Sequence, residues 1–129
     1  MINGSVLLTL SRTQKRFMDE ILSTLENILE QRKSATSDNS YVASLYSQGT
    51  DKILDKISEE SAEVIKAAQD EGNDKIIHEV ADLWFHTLVL LRHKNISIKE
   101  IETELTRRFG VSGHTEKATR HKSNEEKSS

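Results

Sequence analysis

The sequence predicts an all-α protein, a bundle of four to five helices per chain, on three observations. No proline and only five glycines interrupt its 129 residues, so little breaks a helical backbone. Hydrophobic residues make up 35% and charged residues 30%, the balance of helices with one apolar stripe and a polar outer face. Apolar residues recur at three- and four-residue intervals over most of the chain, the helical period and not the strand period.

Taken in order, residues 1–10 read as a leader. Ser11 with Gln14 forms a capping box, and Phe17, Ile21, Leu25, Ile28 and Leu29 carry a first helix over about 12–33. Ser34 to Asn39 is loop chemistry. Ser40 then caps a short helix holding Tyr41, Leu45 and Tyr46, which Gly49 ends. Thr50 is the expected N-cap of a helix to about Glu71, with Ile53, Ile57, Val64 and Ala67 on one stripe and Gly72 as its stop. From Asn73 to about Lys94 the residues are apolar almost all round, including Ile76, Val80, Leu83, Trp84, Leu88, Leu90 and Leu91, so this helix is expected to be the most buried and to need cover beyond one small chain. Trp84 and Phe85 are expected to be packing residues. Ser97 with Glu100 is a capping box for a last helix through Ile98, Ile101, Leu105 and Phe109, broken by Gly110 and Gly113. The division is a leader over 1–10, one domain over 11–113 and a polar tail over 114–129, which is expected to be mobile.

A formal charge of −3 gives no global basic field, so nucleic-acid binding is not predicted. Without cysteine there is no disulfide, thiolate nucleophile or cysteine-held zinc, which fits the cytoplasm. Nothing approaches the roughly 18 apolar residues of a membrane span.

The chemistry lies in two acid pairs. Glu60 and Glu63 are three residues apart, as are Glu79 and Asp82, and at about 100° per residue each pair leaves one face of its helix a turn apart. The acids flank the buried stripes: Ile53, Ile57 and Val64 lie near Glu60, and Leu83 and Leu90 near Glu79. In a chain with 21 acidic residues a single E-x-x-E is usually a solvated face, but the second pair lies in a helix with almost no polar face. Four carboxylates in a partly dry groove raise one another's pKa and lose hydration. A hard divalent cation relieves this, and oxygen ligands suit Mg²⁺, or Mn²⁺ in its place, with positions left for water and phosphate.

Glu59 points further outward, as a ligand, a water-orienting base or a solvated acid. His86, one turn after Asp82, either hydrogen-bonds a ligand carboxylate or a phosphate, or is a satisfied core histidine. Lys56 stands one turn before Glu60, as an ion-pair partner or a phosphate contact. Arg107, Arg108 and Arg120 have the chemistry to reach phosphates. Di-iron bundles need Glu-x-x-His on two helices, and no histidine here has a glutamate three residues before it, so that alternative is disfavoured. Phosphate-binding glycine loops and a nucleophilic serine set are also missing.

The run Glu59-Glu60-Ser61-Ala62-Glu63, followed after fifteen intervening residues by Glu79-Val80-Ala81-Asp82, resembles the E-E-x-x-E…E-x-x-D signature of the MazG-like all-α nucleotide pyrophosphohydrolases. Flanking runs narrow the likeness. Ser40-Tyr41-Val42-Ala43-Ser44-Leu45, Gly49-Thr50-Asp51-Lys52-Ile53, Lys56-Ile57-Ser58, Ala81-Asp82-Leu83-Trp84-Phe85-His86, Val89-Leu90-Leu91 and Glu104-Leu105-Thr106-Arg107-Arg108 are similar to the phosphoribosyl-ATP pyrophosphatase family, the second enzyme of histidine biosynthesis. The similarity covers about residues 17–120. Trp84-Phe85 departs from the Leu-Tyr common there, and the first ten and last nine residues have no counterpart. The family is often fused to a cysteine-dependent zinc cyclohydrolase, which a cysteine-free chain cannot contain, so a stand-alone form is expected.

The resemblance implies hydrolysis of 1-(5-phosphoribosyl)-ATP to the AMP derivative and pyrophosphate by water attack beside the α–β anhydride. Glu60, Glu63, Glu79 and Asp82 would hold Mg²⁺, Glu59 would orient or deprotonate the water, and Lys56, His86, Arg107 and Arg108 would serve phosphates. It also implies a homodimer whose helices complete the bundle. The alternatives are a housecleaning pyrophosphatase of the same superfamily, acting on other nucleoside triphosphates, and a non-enzymatic helical interaction module.

Overall fold

A computed structural model describes the backbone of residues 12–110 and the side chains of residues 20–110. The leader, the cap at Ser11, the side chains of Gln14 and Phe17, Gly113, Arg120 and the polar tail lie outside the described residues. Within them the protein is all-α: α1 (Arg12–Gln31), a 3-10 turn (Arg32–Ser34), α2 (Tyr41–Gln48), α3 (Thr50–Asp70), α4 (Asn73–His93) and α5 (Ile98–Phe109). None of these helices is long and apolar enough to cross a membrane. Two compact units result, one ending at Ile96 and one beginning at Ser97.

In the first unit, α3 and α4 form the main pairing, joined only by Glu71 and Gly72, a connection so short that the helices must run antiparallel. Gly72 has φ +90° and Gly49, the single residue between α2 and α3, has φ +92°, backbone that side-chain-bearing residues rarely adopt. Gly49, not Thr50, is the N-cap of α3, and Thr50 is already its first helical residue. The chain reverses at the glycine, which leaves the threonine no extended backbone from which to cap. The two other caps match expectation: Ser40 accepts from the Ala43 N–H, and Ser97 and Glu100 form a reciprocal capping box.

The apolar core gathers Leu29 of α1, Val42 and Leu45 of α2, Ile53 of α3 and Val89 of α4, with Leu25, Tyr46, Ile57, Phe85, Leu88 and Leu90 packed against it. Ile53 stands near the start of α3 and Val89 near the end of α4, so the core fills the open end of the hairpin, away from the Gly72 turn. Tyr46 fixes α2 to α1 by donating its hydroxyl to the Leu29 carbonyl at 2.9 Å, and its ring stacks on His93. Arg92 ties α4 to α1 through Glu30 (3.1 Å) and Glu26 (3.8 Å), while donating to the Ile96 carbonyl at 2.7 Å. α4 stops in a Schellman arrangement: Asn95, at φ +60°, donates to the Arg92 carbonyl and Ile96 donates to that of Leu91.

Of the two residues expected to pack, one does so within the chain and one does not. Phe85 packs on the core, but Trp84 is 62% exposed and Ile77 67% exposed. Among the described residues, helix α4 is therefore not fully enclosed, because α3 and α1 together cover only part of its circumference.

Candidate active site

On α3 the buried positions Ile53, Glu60 and Ala67 recur every seven residues, two turns of helix, so Glu60 occupies a core position in an otherwise apolar line. On α4 the buried positions are Glu79, His86 and Val89, which likewise share one stripe. The antiparallel hairpin brings these lines face to face. Glu60 and Glu79, 8% and 5% exposed, stand close enough for each carboxyl to shift the pKa of the other.

Two carboxyls brought together out of water oppose each other's ionisation. Burial pushes Glu60 above the usual carboxylate range, and the hydrogen bond to Glu79 and the charge of Asp82 push the same way. Burial also acts on Glu79, but the hydrogen bonds with Lys75 and Glu60 outweigh it and leave that carboxyl below its ordinary value. Glu60 is thus the harder of the two to ionise, and Lys75 meets Glu79 at 3.2 Å.

Around this pair the other acids are arranged by helical spacing. Asp82, one turn after Glu79, is met by His78 at 3.3 Å, and ligand atoms of His78, Glu79 and Asp82 all lie within 4.8 Å of one another. Glu63 is half-buried one turn beyond Glu60, and its charge reaches Lys75. Glu59 points outward, as its spacing predicts, and is held by Lys56 at 3.2 Å. Lys56 thus pairs with Glu59, three residues on, and not with Glu60, which has turned inward. This donor set fits a hard divalent ion: two carboxyls buried beside each other resist full ionisation, and a dication satisfies the same oxygens.

His86 takes neither of its sequence-predicted partners through a side-chain carboxylate. Its Nδ1 is 2.8 Å from the main-chain carbonyl of Asp82 and its Nε2 is 2.8 Å from the Tyr41 hydroxyl. Arg107 and Arg108 both ion-pair with Glu104 inside α5 (2.6 and 2.8 Å), in the unit that begins at Ser97.

Known proteins are similar to this chain over the same residues. A family described as Phosphoribosyl-ATP pyrophosphohydrolase matches residues 22–109, the span that holds both acid pairs, His78, Tyr41 and His86. This chain belongs to that family. Relatives named phosphoribosyl-ATP pyrophosphatase include that of Vesicomyosocius okutanii subsp. Calyptogena okutanii, 69% identical over 104 residues, which are 81% of this chain and 99% of that protein. That of Ruthia magnifica subsp. Calyptogena magnifica is 66% identical, with the same coverage. That of Hydrogenovibrio crunogenus is 52% identical over 108 residues, 81% of this chain and 96% of that protein. The family span stops short of the tail that begins at 114 and starts inside α1, within the wider range that the motifs indicate.

Three side chains of the site escaped the sequence reading. His78 carried a usable signal, because it lies four residues before Asp82 and so in its reach by helical spacing. Lys75 carried the same signal toward Glu79. Tyr41 carried none, since its partner His86 lies 45 residues away on another helix.

Proposed function

We propose that this chain hydrolyses 1-(5-phosphoribosyl)-ATP to 1-(5-phosphoribosyl)-AMP and pyrophosphate, with Glu60, Glu63, Glu79 and Asp82 holding Mg²⁺, or Mn²⁺ in its place. The observation that carries the reading is the buried Glu60–Glu79 pair, set in a chain of the phosphoribosyl-ATP pyrophosphohydrolase family. A carboxyl pair buried between two helices costs stability unless it is used. His78 adds an imidazole to the same oxygen-rich group.

When bound, the divalent ion supplies charge neutralisation at phosphate oxygens and acidifies a water. The protein's share is placement. Glu60 and Glu63 from α3 and Glu79 and Asp82 from α4 would orient the phosphate chain before reaction. Glu59, exposed beside the buried pair, would orient the attacking water and take its proton. Lys56, held by Glu59, brings a positive charge to the same rim, while Lys75 balances Glu79. Arg107 and Arg108 are assigned to phosphate with less support, because Glu104 already engages both. The chain acts as a homodimer, a reading supported by the apolar side chains that α1, α3 and α4 leave exposed, and its cysteine-free composition suits the cytoplasm.

The test is pyrophosphate release from phosphoribosyl-ATP with and without Mg²⁺, for the wild type, Glu63→Gln and Asp82→Asn. Release by the wild type that requires Mg²⁺, with both variants slowed about a hundredfold or more, is the expected result. Full activity in both variants would end the metal assignment. Equal rates on dCTP, dUTP or ATP would mark a housecleaning enzyme, and no rise in Tm with Mg²⁺ would leave only an interaction module.

A further inference from the structure

The two helices of the hairpin carry the same spacing of charge. On α3 a lysine stands four residues before the buried glutamate and an acid three after it, as Lys56, Glu60 and Glu63, and α4 repeats this with Lys75, Glu79 and Asp82. They differ at the residue before the glutamate, which is Glu59 on α3 and His78 on α4. Lys56 therefore has an outward acid three residues on, and pairs with it at 3.2 Å. Lys75 has an imidazole in that place, itself 3.3 Å from Asp82. Its ammonium goes instead to the inward carboxylate, 3.2 Å from Glu79 Oε1. The two partners are unequally placed: the Glu79 side chain is 6% exposed and that of Lys75 46% exposed. The carboxylate is held in the hairpin, whereas the lysine reaches in from water on a flexible stem.

Lys75 is the third residue of α4, in the first turn, where the helix dipole disfavours a cation. Its place is thus accounted for by Glu79 and not by the helix. Among the described residues no other lysine ion-pairs with Glu60, Glu63, Glu79 or Asp82. A divalent ion on Glu79 would meet the ammonium at the same carboxylate, and two cations there repel each other. Uncharged donors can support a carboxylate that holds a metal, but a lysine opposes the ion's own charge. Resting on the reading that these four acids hold the ion, we infer that Lys75 is the ion's built-in competitor. It occupies Glu79 in the empty site and gives it up when the ion binds, so it weakens ion binding while it stabilises the ion-free fold. Lys75 is in this sense a positioning residue of the metal site.

The experiment titrates the metal-free full chain with Mn²⁺, and separately with Mg²⁺, by calorimetry, and records the metal-free Tm. It compares the wild type, Lys75→Gln, Lys75→Arg and Lys52→Gln. Lys52 lies eight residues before Glu60 on α3, so its variant removes the same charge without releasing any of the four acids. Lys75→Gln should bind either ion about three- to tenfold more tightly, the size of one partly exposed ionic hydrogen bond, and its metal-free Tm should fall. Lys75→Arg keeps the charge and should stay with the wild type, as should Lys52→Gln. Unchanged or weaker binding by Lys75→Gln would overturn the inference, weaker binding because the lysine would then be orienting Glu79 for the ion. Equal tightening in Lys52→Gln would overturn it too, by reducing the effect to overall charge, and so would a metal-free Tm of Lys75→Gln that does not fall. A wild type that binds neither ion, or that Glu63→Gln and Asp82→Asn match in affinity, would instead refute the metal reading proposed above, so the two failures are distinct.

Discussion

Glu60 occupies a place that Ile53 and Ala67, seven residues to either side, fill with apolar side chains. Its carboxyl is raised by burial, by Glu79 and by Asp82, so without a cation the ionised form is a liability to the fold. Glu60→Gln cannot ionise, so it removes the buried charge, and its amide offers a donor beside Glu79. In metal-free buffer at neutral pH this variant should be more stable than the wild type by about 1–2 kcal/mol, while Mg²⁺ should no longer raise its Tm as it does for the wild type. Thermal melts with and without Mg²⁺ check both halves, and a less stable metal-free variant would refute the first. Glu104 behaves oppositely. Hydrogen bonds from Arg107 and Arg108 hold its carboxyl down to about 2, against an ordinary 4.5. The folded chain therefore stays charged where the unfolded chain binds a proton, so this contribution is present above pH 4.5 and is lost as pH falls from 4.5 toward 2. Glu104→Gln should flatten that part of the Tm–pH curve, by a small amount that shrinks further in salt, since the ion pairs are exposed; parallel curves for the two proteins would contradict it. Both acid pairs were legible from helical spacing alone, because a residue's face follows from its position in one helix. The partners of His86 were not. Periodicity within α4 carries no information about what α2 sets against it.

At the scale of elements, the helix boundaries followed from caps and glycines, and the differences are physical. Ser97 and Glu100 announce α5 because both hydrogen bonds of the box are local. The cap of α3 was misplaced by one residue, since Thr50 has the chemistry of a cap while Gly49 has the conformation. Gly72 reads in sequence as a stop for α3, and in the structure it also starts α4, whose N-cap it is. Its φ of +90° and ψ of 177° lie in a region open essentially to glycine alone, although a Cβ there would meet nothing within 4 Å. The cost of a side chain is thus backbone strain and not collision. Gly72→Ala should destabilise the chain by about 1–3 kcal/mol, read as a lower urea midpoint with an unchanged slope. Because this turn sets how α3 lies against α4, the same variant should weaken the Mg²⁺-induced rise in Tm. A variant as stable as the wild type would show that the turn relaxes without strain.

At the scale of the whole molecule, the apolar residues left outside fall on helical lines. Ile21 and Ile28 are seven apart on α1 and Ile77 and Trp84 seven apart on α4, while Leu54 and Ile65 are eleven apart on α3; all six are at least 40% exposed. On α1 a shallow groove is lined by Glu20, Ile21, Thr24, Leu25 and Ile28. Singly exposed apolar residues are ordinary, but rows at helical period on three helices are faces made to be covered. Here the all-round apolar character of α4, legible in sequence, and its incomplete enclosure by one chain describe the same fact. In the homodimer proposed above a second copy would cover these rows, since helix faces of the same kind can pack across a two-fold axis. The protein should then sediment at twice its 14.6 kDa chain mass, and Trp84, as the sole tryptophan, reports directly on the face. Its emission should be blue-shifted at micromolar concentration and should move to the red as dilution separates the copies. Trp84→Asp puts a charge where the partner packs and should sediment at the single-chain mass. It should also melt earlier than the wild type, by a margin that grows with the concentration of the wild type, since only the dimer gains from mass action. A wild type of single-chain mass at every concentration, or a Trp84→Asp variant that stays at twice the chain mass, would show that this face of α4 is not where two copies meet.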